Sequence, residues 1–271
     1  TKVSNRRDVE RVHKNTPLIG EIPRLNRGDS DLIQDNDRSI LAESFRIMRT
    51  NLQYLLVSKN KTSESAKNIF VTSTIKGEGK TFIAFNLALS LAQTGKKVLL
   101  VGADIRNPQL HRYLPSEFRS NKGLTEYIID DSILAANLVV KSEYNKNLSI
   151  VMSGAIPPNP AELLMQSRTT TFFDELKELF DYIIVDTAPA MLVTDTILIN
   201  QLSDVTLYVV RANFTDKELL EFPLDAIEDG RLVNVALVLN NVAMSNFGYG
   251  NKYGYTYSNE KKSLMQKLFN R

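Results

Sequence analysis

The chain has 271 residues, 43% apolar and 24% charged, with a net charge of +2, which bounds it to one large globular domain with appendages. It contains no cysteine and two histidines, His13 and His111. That composition excludes disulfides, thiol catalysis and thiolate metal sites, and leaves little from which to build a histidine metal site. No apolar run approaches the roughly 18–20 residues of a membrane span, no signal peptide is visible, and the net charge is neutral on a nucleic-acid partner.

Residues 1–37 are polar, are broken by Pro17, Pro23 and Gly28, and read as an extended arm. The chain starts at Thr1 rather than Met, as expected of a piece of something longer. Its first fourteen residues are basic, and two readings fit: a solvated terminus, or a segment beside a membrane drawn to anionic lipid heads. Ser39 to Val57 is the first firm helix, because Leu41, Phe45, Met48, Leu52 and Leu55 make one apolar stripe. Glu43, Arg46 and Arg49 lie roughly 140° from that stripe at about 100° per residue. They present either a solvated charged face with an internal Glu43–Arg46 pair or a contact with another subunit.

From Asn68 the chain alternates between short β-branched runs and helical patterns. The runs are "NIFVTST", "KVLLVGA", "LSIVMSG", "YIIVDTA", "VTLYVV" and "VNVALVLN". Helical patterns cover Thr81–Gln93, a pair around Ala161–Phe180, Thr194–Gln201 and Asp216–Asp229. Strands apolar on both faces and separated by helices predict an α/β fold, a parallel sheet with helices on both sides. The last dozen residues read as a short amphipathic helix.

After the first strand comes "TSTIKGEGKTFIAFNLALSLAQ". Strand, glycine turn and long helix form the context of a phosphate-binding loop. Gly77, Glu78 and Gly79 would turn backbone N–H groups inward, and the helix start adds its positive dipole end. Lys80 can reach the β- and γ-phosphates of ATP, and the Thr81 hydroxyl can ligate Mg²⁺. Thr74 stands where the usual pattern has its first glycine. Phe82 has two readings, core packing or a shelf under the base.

Two further strands end in carboxylates: "VLLVGADIR" places Asp104 and Arg106, and "YIIVDTAP" places Asp186. The C-terminal edge of a parallel sheet is where ligands bind, so these carboxylates can hold Mg²⁺ and orient an attacking hydroxyl. Asp195 reads as a helix cap together with Thr194. Finally, Tyr249, Tyr253, Tyr255 and Tyr257, four of the chain's ten tyrosines, fall within nine residues interleaved with glycine. They suit either phosphoacceptors on a flexible tail or an aromatic partner-binding tail.

Together, "STIKGEGKT", "VLLVGADIR", "YIIVDTAP", "ESFRIMR", "NPAELLMQSR" and "YGNKYGYTY" resemble the bacterial tyrosine kinases, cytoplasmic domains of polysaccharide co-polymerases within the deviant Walker ATPases. Two positions depart from the family pattern. Gly102 replaces the first Asp of the second Walker strand, and Lys76 replaces a proline. The signature lysine of partitioning ATPases would fall at Ile75, so that rival, a nucleotide switch without kinase activity, lacks its hallmark. The resemblance implies a P-loop kinase domain at 38–244, between a juxtamembrane arm at 1–37 and a tyrosine tail at 245–271. It implies Mg·ATP as cofactor and phosphorylation of the tail in trans within a ring joined through Glu43, Arg46 and Arg49. It also implies control of capsular or exopolysaccharide production at the cytoplasmic face of the inner membrane. Expected partners are a membrane-spanning co-polymerase segment, fused or separate, and a cognate tyrosine phosphatase, with no nucleic acid. Asn240 sits where related ATPases place an adenine-recognising side chain, although an Asn at a turn fits "LNN" equally well.

Overall fold

The computed structural model describes residues 1–58, 65–120 and 122–248. In chain order the elements are α1 (Arg6–Val12), β1 (Leu18–Pro23), α2 (Ile40–Ser58), β2 (Lys67–Ser73), α3 (Lys80–Ala92), β3 (Val98–Gly102), α4 (Leu124–Ile129), β4 (Val140–Lys141), β5 (Leu148–Val151), α5 (Pro160–Leu164), α6 (Ser167–Leu176), β6 (Tyr182–Asp186), α7 (Asp195–Ile199), β7 (Val205–Arg211), α8 (Glu221–Glu228) and β8 (Val235–Val242). The strands form one sheet in the order β1-β8-β7-β2-β6-β3-β5-β4, and every neighbouring pair is parallel except β4–β5. The central strands bury both faces over most of their length, as their largely apolar, β-branched-rich sequences require.

One face of the sheet packs on α2 and α3, which contribute Phe45, Met48, Leu52, Phe85 and Leu87. The opposite face carries Tyr127, Phe172 and Phe173 from α4 and α6. A third cluster joins the N-terminus to α8 through Val3, Val9, Leu220 and Ala226.

Residues 1–37 are not an extended arm. All six residues of β1 are buried, and the strand runs parallel to β8 as the sheet's edge. Pro17 and Pro23 bracket it without breaking it, because an edge strand can spare an N–H on its open side. Their carbonyl and chain neighbours still join the ladder, with Leu237 N donating to Pro17 O at 2.8 Å and Arg24 N to Val242 O at 2.8 Å. Gly20 lets α2 approach closely, since an added Cβ would lie 2.9 Å from the Met48 side chain. The basic first residues are not frayed either. Asn5 caps α1 by accepting from Arg7 N at 2.9 Å, and Lys217 pairs with Asp8 at 2.6 Å. Val3 N donates to Thr215 O at 2.9 Å, and Asn213 N donates to Val3 O at 2.7 Å.

Strand order is what builds the site. The ends of β8, β7, β2, β6 and β3 are consecutive along the C-terminal edge, at the usual ~4.8 Å strand spacing. Asn240, Arg211, the glycine loop, Asp186 and Asp104 are therefore brought into one row, although they span most of the sequence. Val71, Asp186 and Gly102 lie at one register level.

Candidate active site

The loop that leaves β2 is held by its surroundings. Gly77 and Gly79 have φ of +95° and +102°, the left-handed region that side chains avoid. A Cβ on Gly79 would also strike the Asn240 amide. Thr74 needs no such freedom, since its backbone is not left-handed, and its hydroxyl meets Tyr208 OH at 3.0 Å. The missing first glycine is thus replaced by a buried hydroxyl contact.

Glu78 does not face the cleft. It is fully buried, and its carboxylate accepts from Ile75 N at 2.7 Å and from Thr215 Oγ1 at 2.5 Å. Burial raises its pKa, and those two bonds oppose the rise. Asn240 likewise serves the loop, because its Nδ2 donates to Glu78 O at 2.9 Å while its Oδ1 accepts from Asn241 N at 2.8 Å. The amide expected at adenine is spent bracing backbone. Arg211, which sequence reasoning passed over, donates to Gly77 O at 2.7 Å and lines the cleft. A basic residue ending a buried strand was the available signal for it.

Lys80 opens α3 and is 7% exposed. Beside it, Thr81 Oγ1 donates to Asp186 Oδ2 at 2.7 Å. Asp186 is nearly buried, and its Oδ1 has no hydrogen-bond partner. Burial pushes its carboxyl up to about 7, with Thr81 and Lys80 pulling down and Asp104 pushing up. An orphaned, buried carboxylate oxygen next to a hydroxyl is a fit for a hard divalent cation, whose remaining ligands come from phosphate oxygens and water. Asp104 is 7% exposed, lines the cleft and accepts from Asn107 N at 3.0 Å. Burial raises its pKa as well. No cluster of three or more His, Cys, Asp or Glu residues forms a metal cage among the described residues.

Arg106 also lines the cleft and is fixed bidentately by Asp195, Nε to Oδ2 at 2.6 Å and Nη2 to Oδ1 at 2.9 Å. Asp195 is therefore no simple cap, since its buried carboxylate is taken up by a guanidinium 89 residues away. The cleft itself holds about 410 Å³ between the loop, the stretch 104–113 and the stretch 188–193. Phe82 lines this cleft and packs edge-on against Phe45, with ring centroids 6.0 Å apart.

The α2 residues are divided. Glu43 and Arg46 form the internal pair at 2.7 Å, and Arg46 also reaches the Asp37 carbonyl. Arg49 does not point away from the core. Its guanidinium lies over α3, donating to Ser90 O at 2.6 Å. Tyr249, Tyr253, Tyr255 and Tyr257 lie outside the described residues.

Comparison with known proteins agrees with this geometry. Residues 66–220 match the family described as "AAA domain". The tyrosine-protein kinase YwqD of Bacillus subtilis is 31% identical over 248 residues, covering 90% of this chain and 99% of that protein. The tyrosine-protein kinase ptk of Acinetobacter johnsonii is 35% identical over 79% of this chain, which spans only 28% of that longer protein. Among solved structures, the kinase domain of Escherichia coli tyrosine kinase ETK superposes with a TM-score of 0.72 at 25% identity, covering 87% of this chain and 93% of that one. The cell-division protein MinD of Aquifex aeolicus, in its complex with MinC, shares the fold over only 65% of the chain, with a TM-score of 0.54. A preformed phosphate loop with carboxylates at two neighbouring strand ends thus coincides with near full-length likeness to named kinases, and the chain belongs to the bacterial tyrosine kinase family.

Proposed function

We propose that the chain binds Mg·ATP in the cleft and transfers the γ-phosphoryl group to Tyr249, Tyr253, Tyr255 and Tyr257 of another copy. The observation that carries this reading is the convergence of Lys80, Thr81, Asp104 and Asp186 on one loop and two adjoining strand ends. In the transfer, the phenol oxygen bonds to the γ-phosphorus as the bond to the β,γ-bridging oxygen breaks, and ADP departs. The phenol proton passes to the Asp104 carboxylate, whose upward-shifted pKa suits a base. Lys80 offsets charge on the phosphoryl oxygens, and the loop amides, pre-set by Glu78, Asn240 and Arg211, cradle the phosphates. Thr81 and Asp186 would hold magnesium, which when bound neutralises charge on the β- and γ-oxygens. Gly102 leaves the second Walker strand with Asp104 alone, and a Cβ there would already lie 3.1 Å from Ser153 N.

The test is to incubate the intact chain with Mg·ATP and map its modified residues by mass spectrometry. We expect phosphate on the four tail tyrosines and background incorporation in the variant carrying all four Tyr→Phe changes. Release of inorganic phosphate with no tyrosine modified would instead make the chain a nucleotide switch of the partitioning type. In cells, polymer yield with the four-Phe variant tests the link to capsular or exopolysaccharide output.

The half-buried Glu43–Arg46 pair on α2 supports a subunit contact, with Arg49 bracing α2 on α3 from behind. Arg46→Glu places two acids on that face. We expect sedimentation to show wild type as an oligomer and the variant as a folded monomer, and an unchanged assembly would end the contact reading. No helix among the described residues is long and apolar enough to cross a membrane, so attachment at the inner membrane would come through a co-polymerase segment.

A further inference from the structure

A recess of about 810 Å³ is formed by the stretch 23–41, between β1 and the start of α2, together with Met244. It shares no lining residue with the nucleotide cleft. Leu25, Leu32, Leu41 and Met244 line it with apolar surface, while Asp29, Asp35 and Asp37 set three carboxylates against the cation of Arg24. Asp29 and Asp35 are exposed, and Met244 is 44% exposed. The chain meets this recess a second time as it leaves the sheet. Met244 lies in the wall just after β8, and Phe247 is buried. Gly248 sits so close to the buried Glu21 of β1 that an added Cβ would lie 2.7 Å from the carboxylate. The twenty-three residues that follow Gly248 therefore start beside an acid-lined groove.

We propose that this groove docks residues 259–271 of the same chain. Read as a helix at about 100° per residue, that segment gathers Leu264, Met265, Leu268 and Phe269 into one apolar band. Lys262 flanks the band on one side, and Lys267 and Arg271 flank it on the other. The neutral residues Asn259, Ser263, Gln266 and Asn270 fall opposite. In all, the segment holds four basic side chains against one acid, Glu260. An apolar band with a basic margin is the complement of an apolar groove lined by carboxylates. The tether fits as well. Ten residues, 249–258, separate Gly248 from the segment, and fully extended they reach at most about 35 Å. A tether that short keeps its segment near the groove at an effective concentration on the order of millimolar, so weak docking suffices. The same ten residues carry the four tyrosines, and docking makes of them a loop fixed at both ends. The docking requires no phosphoryl transfer and is independent of the kinase reading.

Amide hydrogen exchange, read by mass spectrometry on the intact nucleotide-free chain at low and high protein concentration, tests the docking. A free segment of about thirteen residues is too short to hold a helix firmly in water, so slow exchange there reports a docked state. We expect the amides of 259–271 to exchange about tenfold or more slowly in wild type than in Asp29→Lys/Asp35→Lys or in Leu268→Ser/Phe269→Ser, equally at both concentrations. Asp29 and Asp35 are exposed, and exchange within β2 and β6 verifies that each variant is folded. Adding Lys262→Glu/Lys267→Glu to the aspartate variant should restore the protection. Fast exchange in wild type, protection that survives either set of substitutions, or failure of the charge swap to restore it overturns the docking. Protection that rises with concentration would assign the groove to a second copy and overturn docking within one chain.

Discussion

Lys80→Met is expected to lower tyrosine phosphorylation by about 10³-fold, the scale of removing a pre-oriented charge from a developing anion. The lysine is nearly buried at the first position of α3, so its charge acts in a site poor in water and adds to the helix dipole. It is also the cation that opposes the burial-driven rise of Glu78, Asp104 and Asp186. Without it, those carboxyls hold protons more tightly, which weakens both the base and the metal site. Single-turnover incorporation from labelled ATP measures the effect, with nucleotide binding followed in parallel. A loss smaller than tenfold would remove Lys80 from the transfer step.

Asp186→Asn is expected to cost a similar ~10³-fold in transfer, because the amide keeps the Thr81 hydrogen bond but offers no charge to magnesium. It should also make the metal-free protein more stable. The folded carboxyl is raised from 3.8 to about 7, so between these values the unfolded chain releases a proton that the folded chain retains. Wild-type stability therefore falls as pH climbs through that window, by at most about 1.4 kcal/mol for each step of one in pH. Asparagine does not titrate and escapes this loss. In EDTA the two proteins should melt together near pH 4 and the variant should melt several degrees higher at pH 8. A variant that melts lower at pH 8 would show that the buried carboxylate stabilises the fold.

Much of the fold was legible because its signals are local. The strands β2, β3 and β6 are short runs rich in β-branched and other apolar residues, and the glycine loop sits directly between a strand and a helix. The α2 stripe gave its helix to within a residue at each end. What stayed hidden was non-local or contrary to local cues. The segment β1 follows Pro17 and ends on Pro23, two prolines that read as breakers, and only its edge position makes them harmless. Two-residue β4 and six-residue α4 are too short to carry a period. Glu78 reads as one more polar residue of a loop until Thr215, 137 positions on, is found against it. Arg211 and Asn240 brace the same loop over separations of 134 and 162. Arg49 defeats a helical-wheel argument because its long stem reaches sideways onto α3. The tail tyrosines lie outside the described residues, so their reading rests on sequence and family.

The bonds around Thr215 have a structural consequence. Its carbonyl takes the Val3 N–H, and its hydroxyl holds Glu78, which in turn holds the Ile75 N–H. The chain's first residues and its phosphate cradle are thus three links apart. This route joins Val3 to the loop ahead of α3 through Thr215 and Glu78 alone, so the conformation of the cradle and the seating of the chain's first residues are set by one run of hydrogen bonds.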